Sequence, residues 1–312
     1  MLLSGLREYD DISVGTIMSM ADDGWSTWRM RKDLDMPAFG WDFRDALVGL
    51  AENESLAKIF LHRFQQWEEL RGHSVGNIIL LGLFEACDGD IPKALDIAHE
   101  VLRVRWKVYP STVENINLRC TYDDGTILDS QYLIDNSREM WWHHIVHTEL
   151  IPSPKAFQKA LDIIWVADKI VLWPWDFYAN TVANILVEGV ADAIKASSAK
   201  KVFVVNLMTK YNQTHGFTAS MFVEELKKYL GIYPDYVIVN NDFHPQHIDV
   251  DQYASEKREM VEDDLETTAQ YMVIKDKVWR EWKEFKRVKS DVVPRSFIRH
   301  NPKKLAEIIV SL

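Results

Sequence analysis

Lys201-Val202-Phe203-Val204-Val205-Asn206 holds four apolar residues in a row between a basic start and a polar end. The run does not alternate with period two, so it reads as a strand buried on both faces, the pattern of a parallel sheet. Working outward, Ala219–Leu230 has helical apolar spacing, and Tyr236-Val237-Ile238-Val239-Asn240 is a second buried run. On the other side, Lys169-Ile170-Val171-Leu172 is a short strand and Thr181–Ser197 a helix. Strands that alternate with helices build a parallel sheet with helices on both faces. In such sheets ligands bind beyond the carboxyl ends of the strands, so the loops after Leu172 and Asn206 are candidate site loops.

The remaining chain extends this pattern. Leu2–Tyr9 reads as the tail of a helix, and Ile12–Met20 as a strand ending at Asp22-Asp23-Gly24. Residues 42–64, 74–87, 91–102 and 154–164 carry helical spacing. Asn117–Tyr122 and Thr126–Asp129 flank Asp123-Asp124-Gly125, a hairpin turn signal, and Ile145–Leu150 alternates as a strand. Residues 251–293 are charged and weakly periodic, which predicts surface helix and loop. The expected fold is α/β: a doubly wound, mostly parallel, Rossmann-like sheet with helices on both faces. Residues 1–312 form a single domain, with a small inserted β-hairpin lobe at 110–150.

Of the 312 residues, 47% are hydrophobic and 27% charged, an ordinary globular balance. The net charge of −11 argues against non-specific binding to nucleic acid or an anionic membrane. Two cysteines, Cys87 and Cys120, exclude a disulfide framework and fit a reducing compartment. No apolar run reaches the ~18 residues of a membrane span, and no signal peptide opens the chain. The expectation is a soluble cytoplasmic protein.

Tryptophan is the anomaly. Twelve Trp stand beside thirteen Gly, and glycine falls well below the roughly 7% of an average protein. Trp25 and Trp28 follow the strand that ends at Met20, and Trp173 and Trp175 follow Leu172. At such strand-to-helix junctions a ligand phosphate approaches backbone N–H groups, which favours glycine. Either these loops have lost their ligand, or the cell does not make tryptophan there.

Five motifs in order carry a family resemblance: Asp22-Asp23-Gly24 with Arg29, Gly72-His73-Ser74-Val75-Gly76-Asn77, Pro174-x-Asp176-x-Tyr178, Asn206-Leu207-Met208-Thr209 with Gly216-Phe217, and Arg299-His300-Asn301. Nearly end to end, the chain resembles the CofD/YvcK-like family, whose members are often called gluconeogenesis factors. The family pattern after the Asp pair resembles DDGGSSGRLR, where this chain has Trp25, Thr27, Trp28 and Met30. The pattern around residue 174 resembles LGPGSLYTS, where this chain has Trp173 and Trp175. Trp106, and Trp67 ahead of Gly72, depart in the same way. Repeated replacement of glycine by one residue type points to a UGA codon read as glycine but written as tryptophan; genuine divergence is the other reading. The resemblance also implies a strand and a GGGTG-like loop ahead of Met1-Leu2-Leu3-Ser4-Gly5-Leu6-Arg7-Glu8-Tyr9, so the chain reads as truncated or started at an internal Met.

Each motif has two readings. Asp22 and Asp23 suit Mg²⁺ or a ligand hydroxyl, or a helix cap and turn. The resemblance adds Gly24, Ser26 and Arg29 to that ligand loop. Gly72, His73, Ser74 and Asn77 open a helix, where Ser74 either caps it or joins its N–H groups in holding a phosphate. Ser74 lacks the spacing of a hydrolase nucleophile. Asn206 and Thr209 grip a ribose, base or carboxylate, or simply shape a loop. In the resemblance Pro174, Asp176 and Tyr178 line the ligand, while Tyr178 is equally suited to the core. Arg299 clamps a diphosphate or forms a surface ion pair. His143, His144 and His147 with Glu149 read as an exposed strand face rather than a metal site.

Two functions of different classes follow from the resemblance. The first is a cytoplasmic nucleotide-sugar-binding regulator tied to gluconeogenic carbon metabolism, cell-wall synthesis and cell shape. The second is a CofD-like transferase moving a phospholactyl-type group from a nucleotide diphosphate carrier to a deazaflavin. If the Trp residues are genuine, the cleft is plugged and the chain is a non-binding remnant. Expected partners are a nucleotide sugar or related nucleotide diphosphate, Mg²⁺ as the one candidate cofactor, and a second copy of the chain.

Overall fold

A computed structural model describes the chain except residues 1, 22–26, 28–30, 32–35, 67–69, 141, 243–257 and 282–297. Its N-terminal part is helical: α1 (Leu2–Leu6), α2 (Trp41–Leu50), α3 (Glu54–Leu61), α4 (Val75–Ala86) and α5 (Ile91–Leu102). Strand β1 (Thr16–Met18) pairs in parallel with β2 (Val108–Pro110). Next come β3 (Asn117–Tyr122), β4 (Ile127–Asp129), α6 (Gln131–Asn136) and β5 (Ile145–Ile151), whose strands form an antiparallel sheet in the order β4-β3-β5. Then follow α7 (Gln158–Val166), β6 (Lys169–Leu172), a π-helical turn (Phe177–Val182), α8 (Ala183–Leu186) and α9 (Val190–Ala196). The chain continues through β7 (Lys200–Val204), α10 (Ala219–Leu230), β8 (Tyr236–Asn240) and β9 (Met272–Asp276). It closes with β10 (Trp279–Glu281), β11 (Ile298–His300) and α11 (Pro302–Ser311).

The central sheet is parallel, in the order β6-β7-β8-β9, with helices on both sides. Val202, Phe203 and Val204 are fully buried, as four consecutive apolar residues require of an inner strand. Helix α10 buries Ala219, Phe222, Val223, Leu226 and Leu230, the stripe of a 3.6-residue period. It stops at Gly231 (φ +83), where glycine takes the left-handed conformation without a Cβ penalty. Helix α11 starts with Asn301 as cap and Pro302 in its first turn. Gly5 of α1 lies against the Pro302 carbonyl, and there is no room for a side chain at that contact.

Several expected elements differ. The 42–64 helix is two, because the Asn53 side chain accepts from Leu56 N–H and starts α3 afresh. The 12–20 strand shortens to β1, and its partner β2 was not foreseen. The 181–197 helix starts as a π-helical turn and breaks at Gly189 (φ +96) before α9. Residues 251–293, expected as surface helix and loop, contain the fourth parallel strand, β9. Met272 and Lys275 are exposed and none of its residues is fully buried, as suits an outer strand, so the apolar signal is weak.

The hairpin turns at Gly125 (φ +86). Leu118, Cys120 and Tyr122 join the same hydrophobic core as the central sheet. Both Cys87 and Cys120 are free and buried. No described helix is long and apolar enough to cross a membrane.

Candidate functional site

Strand β6 delivers Trp173, Pro174, Trp175 and Asp176 to the carboxyl edge of the sheet. The indoles of Trp173 and Trp175 stack, with ring centroids 5.9 Å apart and planes at 17°. Trp175 Nε1 donates to Asp42 Oδ1 at 3.0 Å, which joins this loop to the first turn of α2. Asp176 caps the π-helical turn, its Oδ1 accepting from Ala179 N–H at 3.1 Å. Such turns are concentrated at functional sites. From the end of β7, Asn206 Nδ2 donates to the Trp175 carbonyl at 2.7 Å. Ser19, just past β1, donates to the Ala179 carbonyl at 2.8 Å.

Around Asp176 lies a buried polar cluster of which only that residue was expected. The Lys210 ammonium contacts Asp176 Oδ2 and lies 2.7 Å from Asp135 Oδ1. Gln213 Nε2 donates to Asp135 Oδ1 at 2.8 Å and to Asp176 Oδ2 at 3.3 Å. Gln131 Nε2 reaches the same Asp176 oxygen at 3.4 Å. Burial alone pushes the Asp176 carboxyl up, but the Lys210 charge and hydrogen bonds from Lys210, Ala179 N–H and Gln213 hold it below the usual carboxylate range. Burial pulls the Lys210 ammonium down, and Asp135 and Asp176 more than reverse it. The ion pair therefore stays charged. Three buried amide oxygens here, Gln131 Oε1, Gln213 Oε1 and Asn212 Oδ1, accept no hydrogen bond among the described residues.

The Gly72–Asn77 motif surrounds an arginine that sequence reading missed. Ser74 caps α4 by accepting from Asn77 N–H at 3.2 Å. Its hydroxyl also accepts from Arg44 Nη1 at 2.7 Å, and Asn77 Oδ1 accepts from the same nitrogen at 3.0 Å. Arg44 is buried, as are His73, Ser74 and Asn77. A Cβ on Gly76 would lie 2.8 Å from both Cδ and Cγ of Arg44, so glycine there admits the guanidinium stem. Gly72, at φ +86, presents its carbonyl to Arg63 Nη1 at 2.7 Å. Ser74 is thus a helix cap whose hydroxyl also accepts from a buried cation. Since Asp42 and Arg44 share the first turn of α2, that turn ties the 72–77 motif to the β6 loop.

The other expected residues divide. Thr209 clasps the segment after 257: its N–H donates to the Glu259 carbonyl at 2.7 Å, and its hydroxyl accepts from Glu259 N–H at 2.9 Å. Tyr178 is fully buried, and its hydroxyl donates to Glu225 Oε1 on α10 at 3.0 Å. Arg299 stands opposite Arg280 in the β10–β11 pair. Beside it, His300 Nε2 donates to the Val205 carbonyl at 3.1 Å, which brings β11 to the carboxyl end of β7. Burial pulls the His300 pKa down to about 4, leaving it neutral. Asp22, Asp23, Gly24, Ser26 and Arg29 lie outside the described residues, and with them the expected Mg²⁺ ligands and Trp25 and Trp28. His143 pairs with Asp123 at 2.6 Å on the hairpin turn, and His144 and His147 are exposed. A surface concavity lined by Glu52, Asn53, Glu54, Ser55 and Arg103 contains none of these residues.

Neither Arg44 nor Lys210 carries a local sequence signal. Arg44 also pairs with its neighbour Asp45, but Ser74 and Asn77, and the partners of Lys210, lie far along the chain, and only the fold brings them in.

A family profile described as "2-phospho-L-lactate transferase CofD" matches residues 1–279. A gluconeogenesis factor of Halalkalibacterium halodurans is 36% identical over 263 residues, covering 83% of this chain and 79% of its own. The gluconeogenesis factor of Bacillus subtilis is 31% identical, covering 100% of this chain and 93% of its own. A crystal structure of a member of the UPF0052 family from Bacillus halodurans superposes with a TM-score of 0.86 at 33% identity, covering 99% of this chain and 95% of that one. With the motif loops of β6 and β7 meeting at one sheet edge, and similarity running along nearly the whole chain, this protein belongs to the CofD family, on the side of its gluconeogenesis-factor relatives.

Proposed function

We propose that this chain binds a nucleotide-diphosphate ligand, a UDP-sugar in the first instance, at the carboxyl edge of β6 and β7, and acts as a regulator of carbon metabolism. The observation that carries this reading is convergence. Asn206 bonds the Trp175 backbone, and His300 bonds the Val205 backbone. Three motifs far apart in sequence thus meet where parallel sheets place their ligands. The names of the relatives support the link to gluconeogenesis. Roles in cell-wall synthesis and cell shape extend the same proposal.

The family description favours a second reading, transfer of a phospholactyl-type group to a deazaflavin. Calorimetry with UDP-glucose, alongside an assay for transfer to a deazaflavin, separates the two. Binding without transfer supports the regulator; transfer supports the enzyme. Failure to bind any nucleotide overturns both and leaves the plugged cleft.

A further inference from the structure

Asp135 on α6, Asp176 after β6, Lys210 after β7, and the amides of Gln131 and Gln213 form one contiguous polar cluster. Four of these five residues fall outside the motifs that carry the family resemblance. Their charge balance is informative. Among the described contacts two carboxylates face one ammonium, a balance that disfavours a phosphate. The hydrogen-bond balance points the same way. Among the described contacts the donors are amide N–H groups and the ammonium, while the oxygens of Gln131 and Gln213 are buried and accept no hydrogen bond among the described residues. A buried acceptor without a donor is costly, so a ligand carrying hydroxyls answers the imbalance. A diphosphate, which accepts but does not donate, does not.

We infer that the Asp135–Asp176–Lys210 cluster, with Gln131 and Gln213, is the sugar-hydroxyl subsite of the ligand, and that the diphosphate lies outside it. This rests on the nucleotide-sugar reading above. A sugar hydroxyl donates to an amide or carboxylate oxygen and accepts from the ammonium, so one group type meets both needs. The Lys210 side chain is 28% exposed and Asp135 is 26% exposed, so the cluster opens to solvent along that side. Asp176, at 7%, forms its floor.

The test is calorimetric titration of the full chain with UDP and with UDP-glucose, on wild type and on Asp135→Asn. Wild type is expected to bind UDP-glucose roughly tenfold tighter than UDP, the worth of about one hydrogen bond to a charged group. In D135N that preference should shrink to within about threefold. Equal affinity of wild type for the two ligands overturns the subsite while leaving nucleotide binding intact. An equal loss of both affinities in D135N marks a purely structural cluster and also overturns it. Absence of binding to either ligand overturns the parent reading and this one together. Saturation-transfer NMR on wild type needs no variant: saturation of the glucose ring protons supports the subsite, and saturation confined to the uridine overturns it.

Discussion

Asn206 donates its side-chain amide to the backbone carbonyl of Trp175 at 2.7 Å, and so fastens the loop after β7 to the loop after β6. The bond uses the main chain of residue 175 and is indifferent to its side chain. Asn206→Ala should therefore cost about 1 kcal/mol of stability by removing one hydrogen bond. It should also weaken nucleotide binding more than that, because the two loops lose their register. Chemical denaturation and calorimetry on one preparation check the split. Binding unchanged at reduced stability would remove Asn206 from the site.

The identity of residues 173 and 175 is a separate question with a direct answer. Peptides from native cells spanning residues 169–180 should carry glycine at both positions, as the repeated departures from the family pattern lead one to expect. Glycine there removes the stacked indoles and bares the loop backbone for a phosphate. Tryptophan in the spectra leaves the edge covered and rules out a phosphate against that backbone.

Lys210→Met should be severe. It leaves Asp135 and Asp176 facing each other without a cation, and because the pair is half-buried the cost should lie below the about 3–5 kcal/mol of breaking a fully buried one. Adding Asp176→Asn to K210M should recover much of the loss, which urea unfolding of the single and double variants would measure. If K210M unfolds like wild type, the pair contributes nothing to the fold.

Stability should fall on mild acidification, and two histidines supply the sign. Burial holds both His99 and His300 near pKa 4 in the fold, against about 6.5 when unfolded. His99 Nε2 accepts from Val108 N–H at 3.0 Å, which requires the neutral ring. Between pH 4 and 6.5 the unfolded chain takes up protons that the folded chain refuses, so stability is full above 6.5 and drains toward pH 4. Each histidine contributes up to about 3 kcal/mol to that slope. The Asp176 carboxyl, depressed in the fold, adds a further loss below its unfolded value near 3.8. Thermal melts of wild type and His300→Gln from pH 8 to 4 test this; an unchanged slope in the variant removes His300 as a cause.

Gly76→Ala probes the buried guanidinium. The new methyl falls 2.8 Å from Arg44 and from Phe60, so one of them must move, at a cost of about 1–3 kcal/mol. A variant as stable as wild type would mean Arg44 is held less tightly than its partners imply.

How much of this was readable beforehand depended on range. β6, α10 and β8 were predicted with the ends they have, because short apolar runs and a Gly231 stop are local signals. Strand β9 was missed because Met272 and Lys275 face solvent, and an outer strand resembles a charged loop in sequence. Arg44 and Lys210 were missed for another reason. A lone basic residue reads as solvated unless its partners are known, and Ser74 and Asp135 lie 30 and 75 residues away. The motifs located the sheet edge; the charges inside it came from the fold.

Asn212 has one more consequence. Its carbonyl accepts from the Tyr122 hydroxyl at 2.9 Å, and its amide donates to the carbonyls of Ile134 and Ser137 at 3.0 and 2.6 Å. The loop carrying Lys210 is thus riveted to the hairpin side of the molecule. Three residues further on, His215 meets the exposed indole of Trp142 edge-on, with centroids 6.3 Å apart. The surroundings of that indole therefore depend on where this loop sits. A displacement of the Lys210 loop would carry His215 away from Trp142, so this ring pair ties the outer face of the molecule to the polar cluster beneath it.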